Sequence, residues 1–379
     1  MRKGAITMVC GTRPELIKLA PLIRRFGQAA AVVYTGQHYD RSMYSRIRAD
    51  IAEPGSFHEL GLGGGRRGSQ LGNAVAALDA HFAQEPPDVV IVQGDTTSAL
   101  AGALAANAND VPLVHVEAGL RSYDRAMPEE HNRVAIDHLA DLCCAPTALN
   151  RANLLGEGVA ADRIVVTGNT VVEALEEALP SAAESRKLIA SHGLLADGYV
   201  LATVHRPENV DCRDNLETIL GDLAALPLPV VLPLHPRTAK QVAAFGLDGL
   251  LAGVRVIEPQ SYKDFLSLAR WAAVLVSDSG GVQEEVSVLK RPVVVVRRST
   301  ERPEIEGTFG TLVPPGPRMR AEVLRWLDDV SGHRARLAGI ASPYGTGSPS
   351  GLIEAAVRQM VSDTRFASPT LEFQLVTDG

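Results

Sequence analysis

The chain has 379 residues, 46% of them hydrophobic and 21% charged, and a formal net charge of −7. That is the composition of an ordinary globular protein, long enough for two domains of about 100–200 residues each. The acidic balance argues against a nucleic-acid partner but leaves room for a local cationic cleft that takes a small anion.

No run approaches the roughly 18 apolar residues of a membrane span. Residues 1–10 are too short and too polar at their start for a secretory signal. The four cysteines, Cys10, Cys143, Cys144 and Cys212, make no CxxC pair and read as reduced thiols. The expectation is a cytoplasmic protein with no membrane association.

Residues 5–9 predict a buried first strand, followed by Gly11-Thr12-Arg13-Pro14-Glu15 and a helical pattern over 16–26. Pro14 suits a helix start. Arg13 and Lys18 then face the C-terminal end of the strand, where open α/β sheets bind ligands; singly, both read as solvated surface charges. A second strand over 31–34 runs into Thr35-Gly36-Gln37-His38-Tyr39-Asp40. The Gly- and Arg-rich stretch 61–72 predicts a mobile loop before a helix over 73–82. A strand over 88–92 leads to Gly94-Asp95-Thr96-Thr97 and an alanine-rich helix over 98–107. The strand over 111–116 ends at Glu117, and Pro128 with Glu129 and Glu130 opens a helix that runs to 139. Asp95 and Glu117 thus follow successive strands, Glu129 stands at the start of the helix after the second, and the three are expected to converge on one rim. Alone, each reads as a cap or a surface pair, and Asp95 as an N-cap. His115 beside Glu117 reads as structural, and no metal set emerges.

Strands over 142–145 and 164–167 complete a doubly wound first domain, residues 1–170, with the C-terminal helix of 352–379 packing back onto it. Residues 171–191 predict one helical linker. A second domain, 171–351, opens with a strand over 199–204 ending in His205-Arg206-Pro207-Glu208-Asn209. A strand over 230–234 ends in His235-Pro236-Arg237-Thr238. Imidazoles at strand tips can bind phosphate as cations or donors. Residues 273–296 then predict strand, small-residue turn, helix and strand, a βαβ unit. Ser279, Gly280 and Gly281 fall at its helix N-terminus, whose free amides and dipole suit a phosphate. Glu284 and Glu285, one turn on, are candidates for ribose hydroxyls, and Arg302 lies beyond the next strand. Alone, such a turn reads as a helix start with glycine for tight packing. The expected fold class is α/β, with two Rossmann-like doubly wound domains. Residues 364–379 show no periodicity.

The motifs GTRPELIKLAP, TGQHYD, GDTTSALAGALAA, HVEAGLRS, MPEEHNR, TGNT, HRPEN, HPRT, SDSGGVQEE and TERPE follow one another in that order. As a set over residues 11–345 they resemble the non-hydrolysing UDP-N-acetylglucosamine 2-epimerase family, and TGQHYD, HRPEN and HPRT are similar to its archaeal and Gram-positive branch. The resemblance implies a glycosyltransferase-B-like fold with the domains facing across a cleft, a homodimer, and reversible conversion of UDP-GlcNAc to UDP-ManNAc without NAD or another cofactor. By motif position it implies acid/base roles for Asp95, Glu117 and Glu129 and an essential His205. It implies UDP or substrate contacts at Arg13, Lys18, His235, Phe265, Ser279, Gly280, Gly281, Glu285 and Arg302. The chain departs from the family at Lys290-Arg291, Arg298-Ser299 and residues 304–311. These changes are expected around the phosphate and sugar end, where they bear on which sugar of a surface-glycan or secondary-metabolite pathway is used.

These residue types suit that chemistry. The C2 hydrogen of the sugar is not acidic until C1 gains cationic character, so UDP must leave first and cations must meet its charge. Two acid/base groups then serve the two faces of C2, Asp95 and Glu117 being assigned to proton transfer and Glu129 to holding a proton or orienting the sugar. Clustering of the carboxylates is expected to keep one of them protonated. Four other readings share the nucleotide site: a hydrolysing relative releasing ManNAc and UDP, a retaining glycosyltransferase, a UDP-sugar sensor without turnover, and an epimerase for a modified UDP-sugar.

Overall fold

A computed structural model of the protein describes residues 2–36, 54–345 and 347–362. The last four residues of TGQHYD and the 364–379 tail lie outside them. The chain divides into two compact units, one built from residues up to Gly119, His131–Thr167 and the chain from Ser350, the other from Leu120–Glu130 and Gly168–Pro349.

The first unit holds a seven-stranded parallel sheet in the order β3-β2-β1-β4-β5-β6-β7. Its strands are β1 (Ile6–Cys10), β2 (Ala30–Tyr34), β3 (Ser56–Glu59), β4 (Val89–Gln93), β5 (Leu113–Val116), β6 (Leu142–Ala145) and β7 (Ile164–Val166). The central strands are largely apolar and buried along their whole length, as a parallel sheet between helices requires, with Thr7, Gln93 and His115 the buried polar exceptions. One core layer packs the helix Arg13–Phe26 against the sheet, and Ile353, Val357 and Met360 of the helix Pro349–Ser362 join it. The other gathers the helices Arg67–Gln84 and Thr97–Ala108. The strand order reverses direction at β1 and β4, which makes their C-terminal ends the switch point where such sheets bind ligands.

The second unit repeats the plan with six parallel strands in the order β10-β9-β8-β11-β12-β13. They are β8 (Val200–Thr203), β9 (Val230–Pro233), β10 (Arg255–Ile257), β11 (Val274–Ser277), β12 (Val293–Val296) and β13 (Gly310–Val313). Its switch point lies at β8 and β11. The fold is α/β with two Rossmann-like doubly wound units, as the sequence leads one to expect.

Two local expectations are corrected. Residues 171–191 are not one helix but two, Val171–Ala178 and Ala182–Ser191. Pro180 pushes Leu179 into extended backbone (ψ 115°), and Ser181 with Glu184 opens the second helix as a capping box. The glycine-rich stretch turns helical at Arg67, six residues earlier than expected, because Leu71, Ala74, Leu78 and Phe82 keep one apolar face turned to the core.

Candidate active site

In the first unit, β1 ends at Cys10 and the next helix begins at Arg13, with Pro14 in its first turn. Arg13 is half-buried at the first helical position. Glu15 folds back under the helix start, accepting from the Gly11 and Thr12 amides at 3.1 and 2.7 Å and from the Thr12 and Thr96 hydroxyls at 2.7 and 2.6 Å. Burial raises its carboxyl to about 7 against the downward pull of those bonds.

Lys18 is not a solvated charge. It is buried, and its Nζ donates to Glu117 Oε2 at 2.6 Å. Gln93 Nε2 donates to the same oxygen. Glu117 follows β5 in left-handed backbone (φ 73°), a conformation costly for a non-glycine residue, and its N–H donates to the Cys144 carbonyl at 3.2 Å. His115, one turn of the strand earlier, is fully buried between Asp137 Oδ1 at 2.6 Å and the Gly94 carbonyl at 2.9 Å. Asp137 also accepts from the Gly119 amide, so the pair ties the ends of β4 and β5 together.

Asp95, at the tip of the neighbouring strand β4, is not the N-cap. Thr96 takes that role, its hydroxyl accepting from the Ala99 amide at 3.0 Å. Asp95 Oδ2 instead accepts from Arg133 Nε and Nη2 at 3.1 and 2.5 Å, and its carbonyl accepts from Asn132 Nδ2 at 2.7 Å. Arg67 in turn donates to Asn132 Oδ1 at 2.6 Å. Asp95 and Glu117 therefore each stand at the tip of adjacent parallel strands, each with its own cation. Gln93, Asn132, Arg133 and Asp137 were missed as site residues, although two of them lie inside the MPEEHNR string.

In the second unit the Leu120–Glu130 segment is folded around Glu130. Its carboxylate accepts from the Ser122 amide and hydroxyl at 3.0 and 2.8 Å and from the Tyr123 amide at 2.8 Å. Of the two adjacent acids Glu130 is thus structural. Glu129 is half-buried in the first turn of the helix Pro128–Leu139, and no cation pairs with it among the described residues.

At the second switch point, Ser279 is the N-cap and Gly280 and Gly281 the first two residues of the helix Gly280–Leu289. A Cβ on Gly280 would stand 2.7 Å from Arg302 Nη1, so glycine lets Arg302 lie over the helix start. Arg302 is buried, with Nε donating to Glu284 Oε1 at 2.7 Å and Nη1 to Glu301. Glu284 is fully buried and also accepts from Asn169 Nδ2 at 3.0 Å. That removes Glu284 from the candidates for a ribose hydroxyl and leaves Glu285, the next residue, at the edge of burial.

Asp278, which sequence reasoning also missed, organises the β8 tip. Its carboxylate accepts from the His205 and Arg206 amides at 3.0 and 2.8 Å and from Asn209 Nδ2 at 3.1 Å, and it lies 3.2 Å from His205 Nδ1. Burial pushes this carboxyl up, yet the His205 bond and charge, with the Arg206 and Asn209 donors, outweigh it and hold it below the usual range. His205 and His235 stand with ring centroids 5.5 Å apart. His235 caps the helix Pro236–Phe245, its Nδ1 accepting from the Arg237 amide at 3.2 Å, which leaves Nε2 to carry the proton outward. Phe265 is half-buried on the helix Tyr262–Trp271, at the edge of the second core.

The departures from the family pattern fall mostly elsewhere. Lys290 is the left-handed C-cap (φ 57°) of the helix that Ser279 opens, about 15 Å from its start at 1.5 Å per residue, and its Nζ donates to the Ile340 carbonyl at 2.6 Å. Arg291 is buried and donates to Asp197 at 2.6 Å. Residues 304–311 run into β13 and bury Ile305 and Phe309. These changes cap and pack; they do not surround the phosphate site as expected. Of the three departures, only Arg298-Ser299 stays near the β12 tip, with Ser299 donating to Asp124 at 2.8 Å.

A family model for UDP-N-acetylglucosamine 2-epimerase matches residues 23–358. The UDP-N-acetylglucosamine 2-epimerase of Methanocaldococcus jannaschii is 39% identical over 311 residues, covering 79% of this chain and 85% of that one. The UDP-2,3-diacetamido-2,3-dideoxy-D-glucuronate 2-epimerase of Pseudomonas aeruginosa is 36% identical over 310 residues, covering 79% and 85%. A crystal structure of the Methanocaldococcus jannaschii enzyme, in complex with UDP-GlcNAc and UDP, superposes with a TM-score of 0.82 at 34% identity, covering 93% of this chain and 99% of that one. With two doubly wound units and a family match across most of its length, the chain belongs to the UDP-N-acetylglucosamine 2-epimerase family and is an isomerase.

Proposed function

We propose that the chain interconverts UDP-N-acetylglucosamine and UDP-N-acetylmannosamine by eliminating UDP to a glycal and adding it back. The observation that carries this reading is the pair of carboxylates, Asp95 and Glu117, at the tips of adjacent strands, each held by its own buried cation. Neighbouring strands run about 4.8 Å apart, so two such tips suit work on one sugar carbon. Each carboxylate's charge is offset by its partner, so mutual repulsion is not needed to explain either. Glu129, which has no such cation among the described residues, is the better candidate to carry the second proton.

The leaving diphosphate needs positive groups that strengthen as its charge grows. The Ser279–Gly281 amides, Arg302, His205, His235 and Arg13 supply them in this reading, with Phe265 and Glu285 beside the nucleoside. Lys18 is reassigned from the diphosphate to Glu117. UDP leaves and returns, so the reaction is redox-neutral and consumes no cofactor. No helix among the described residues is long and apolar enough to cross a membrane. A cytoplasmic homodimer acting in surface-glycan or secondary-metabolite synthesis completes the proposal.

The test is NMR of the purified protein with UDP-N-acetylglucosamine in heavy water. Deuterium at C2 of both epimers, with the nucleotide still attached, is the expected result. Free N-acetylmannosamine with UDP as end products would assign a hydrolysing enzyme instead, and no C2 exchange at all would overturn the epimerase reading.

A further inference from the structure

We propose a divalent transition-metal site of zinc type formed by His58, His81 and Glu85, outside the UDP-sugar machinery. One ligand atom from each residue lies within 4.8 Å of the others, and His58 Nε2 stands 3.6 Å from Glu85 Oε2. The two imidazole centroids are 4.8 Å apart.

The fold explains the convergence. β3 is the outer strand of the first sheet, and strand side chains alternate between faces. Phe57 packs into the core layer under Arg13–Phe26, so His58 turns to the opposite face, where its β2 register partner Val33 packs beside the helix Arg67–Gln84. His81 and Glu85 come from the C-terminal end of that helix, four residues apart and therefore on one side. The Glu85 amide closes the last turn on the His81 carbonyl at 2.8 Å, and Pro86-Pro87 stop the helix there. A helix C-terminus carries negative character, which favours a cation.

The site is polar where nothing else requires it. His58 Nε2 is buried and makes no hydrogen bond. Two histidines and one carboxylate are a recognised zinc set, with ligand atoms about 3.4 Å apart around a tetrahedral ion. The His58–Glu85 pair already has that spacing. All three ligand atoms lie within 4.8 Å of one another, and Glu85, whose side chain is 60% exposed, has room to rotate toward an ion. A fourth position stays open to water. Imidazole and carboxylate together favour zinc, copper or nickel over magnesium or calcium. By strand spacing the site lies about 14 Å from β4, and it ties an edge strand of only four residues to the helix beside it.

The experiment is calorimetric titration of zinc chloride into the chelator-treated full-length protein carrying Cys212→Ser, which removes the exposed thiol as a competing ligand. One zinc per chain is expected, with affinity reduced at least tenfold by Glu85→Gln and by His58→Ala. Glu85→Gln alters an exposed carboxylate and keeps the helix end, so its effect does not hinge on refolding. Zinc should also raise the melting temperature of the parent and not of His81→Ala. Absence of binding in the parent, or binding of equal strength in Glu85→Gln and His58→Ala, overturns the site.

Discussion

Lys18 Nζ lies 2.6 Å from Glu117 Oε2, and both side chains are more than nine-tenths buried. The lysine comes from the helix after β1 and the glutamate from the tip of β5, 99 residues on. With Gln93 on the same oxygen and the glutamate in left-handed backbone, one helix and the ends of two strands fix one carboxylate. A buried ion pair is weak evidence for stability but breaking one is costly, because it leaves a charge unpaired. The pair is better understood as aiming an ionised base.

Lys18→Met is therefore expected to destabilise the protein by about 3–5 kcal/mol and to abolish C2 exchange. The double variant with Glu117→Gln recovers much of that stability and none of the activity. Urea unfolding and hydrogen–deuterium exchange at C2 read the two effects separately. Full activity in Lys18→Met would remove the lysine from the site.

Glu15 gives a pH signature. Its carboxyl ionises at about 7 in the folded chain against 4.5 when unperturbed, chiefly through burial. The folded state thus binds the proton more tightly. The resulting stabilisation is fully present below 4.5 and lost as pH rises through about 7. The stability of the parent relative to Glu15→Gln should fall by something on the order of 3 kcal/mol across that window. A flat difference between the two would show that the four donors at the helix start, not burial, dominate.

How far the sequence alone reaches is visible in these residues. The strand tips were legible, because apolar runs ending in Gly, Asp or Glu mark them directly. Burial of Lys18 was legible only in the helix period, since Glu15, Lys18, Leu19 and Leu22 share one face. Asp278 was not legible, because the donors it gathers lie about 70 residues upstream and meet it only across β8 and β11. Lys290 misled in the other direction. A helix C-cap in left-handed backbone usually carries glycine, so a change there looks like a change of site when it is a change of cap.

Gly280 is expected to tolerate nothing larger. Alanine would set a methyl 2.7 Å from Arg302 Nη1, and Arg302 cannot swing aside while Glu284 and Glu301 hold it. Gly280→Ala should weaken UDP about tenfold, roughly 1.4 kcal/mol, with an unchanged circular dichroism spectrum. Unaltered UDP affinity by calorimetry would separate this helix start from the nucleotide.

Asp278 stands behind the β8 tip, holding the His205 and Arg206 amides. Asp278 is fully buried, so any influence on chemistry passes through the groups it holds, and of these it engages both the amide and the ring of His205. In Asp278→Asn one acceptor becomes a donor facing the His205, Arg206 and Asn209 donors, which costs about 1–3 kcal/mol and loosens the β8 tip. If His205 stabilises the departing diphosphate, the loss should appear in kcat, by tenfold or more, with KM little changed. His205→Ala and the double variant should then lose the same amount, because residues that act as one unit are not additive. The carboxyl is held below 3.8, so the stability it contributes is present above that value and is lost only as pH falls through its depressed folded pKa. Additive losses in kcat from the two single variants would make Asp278 independent of His205 and refute the positioning role.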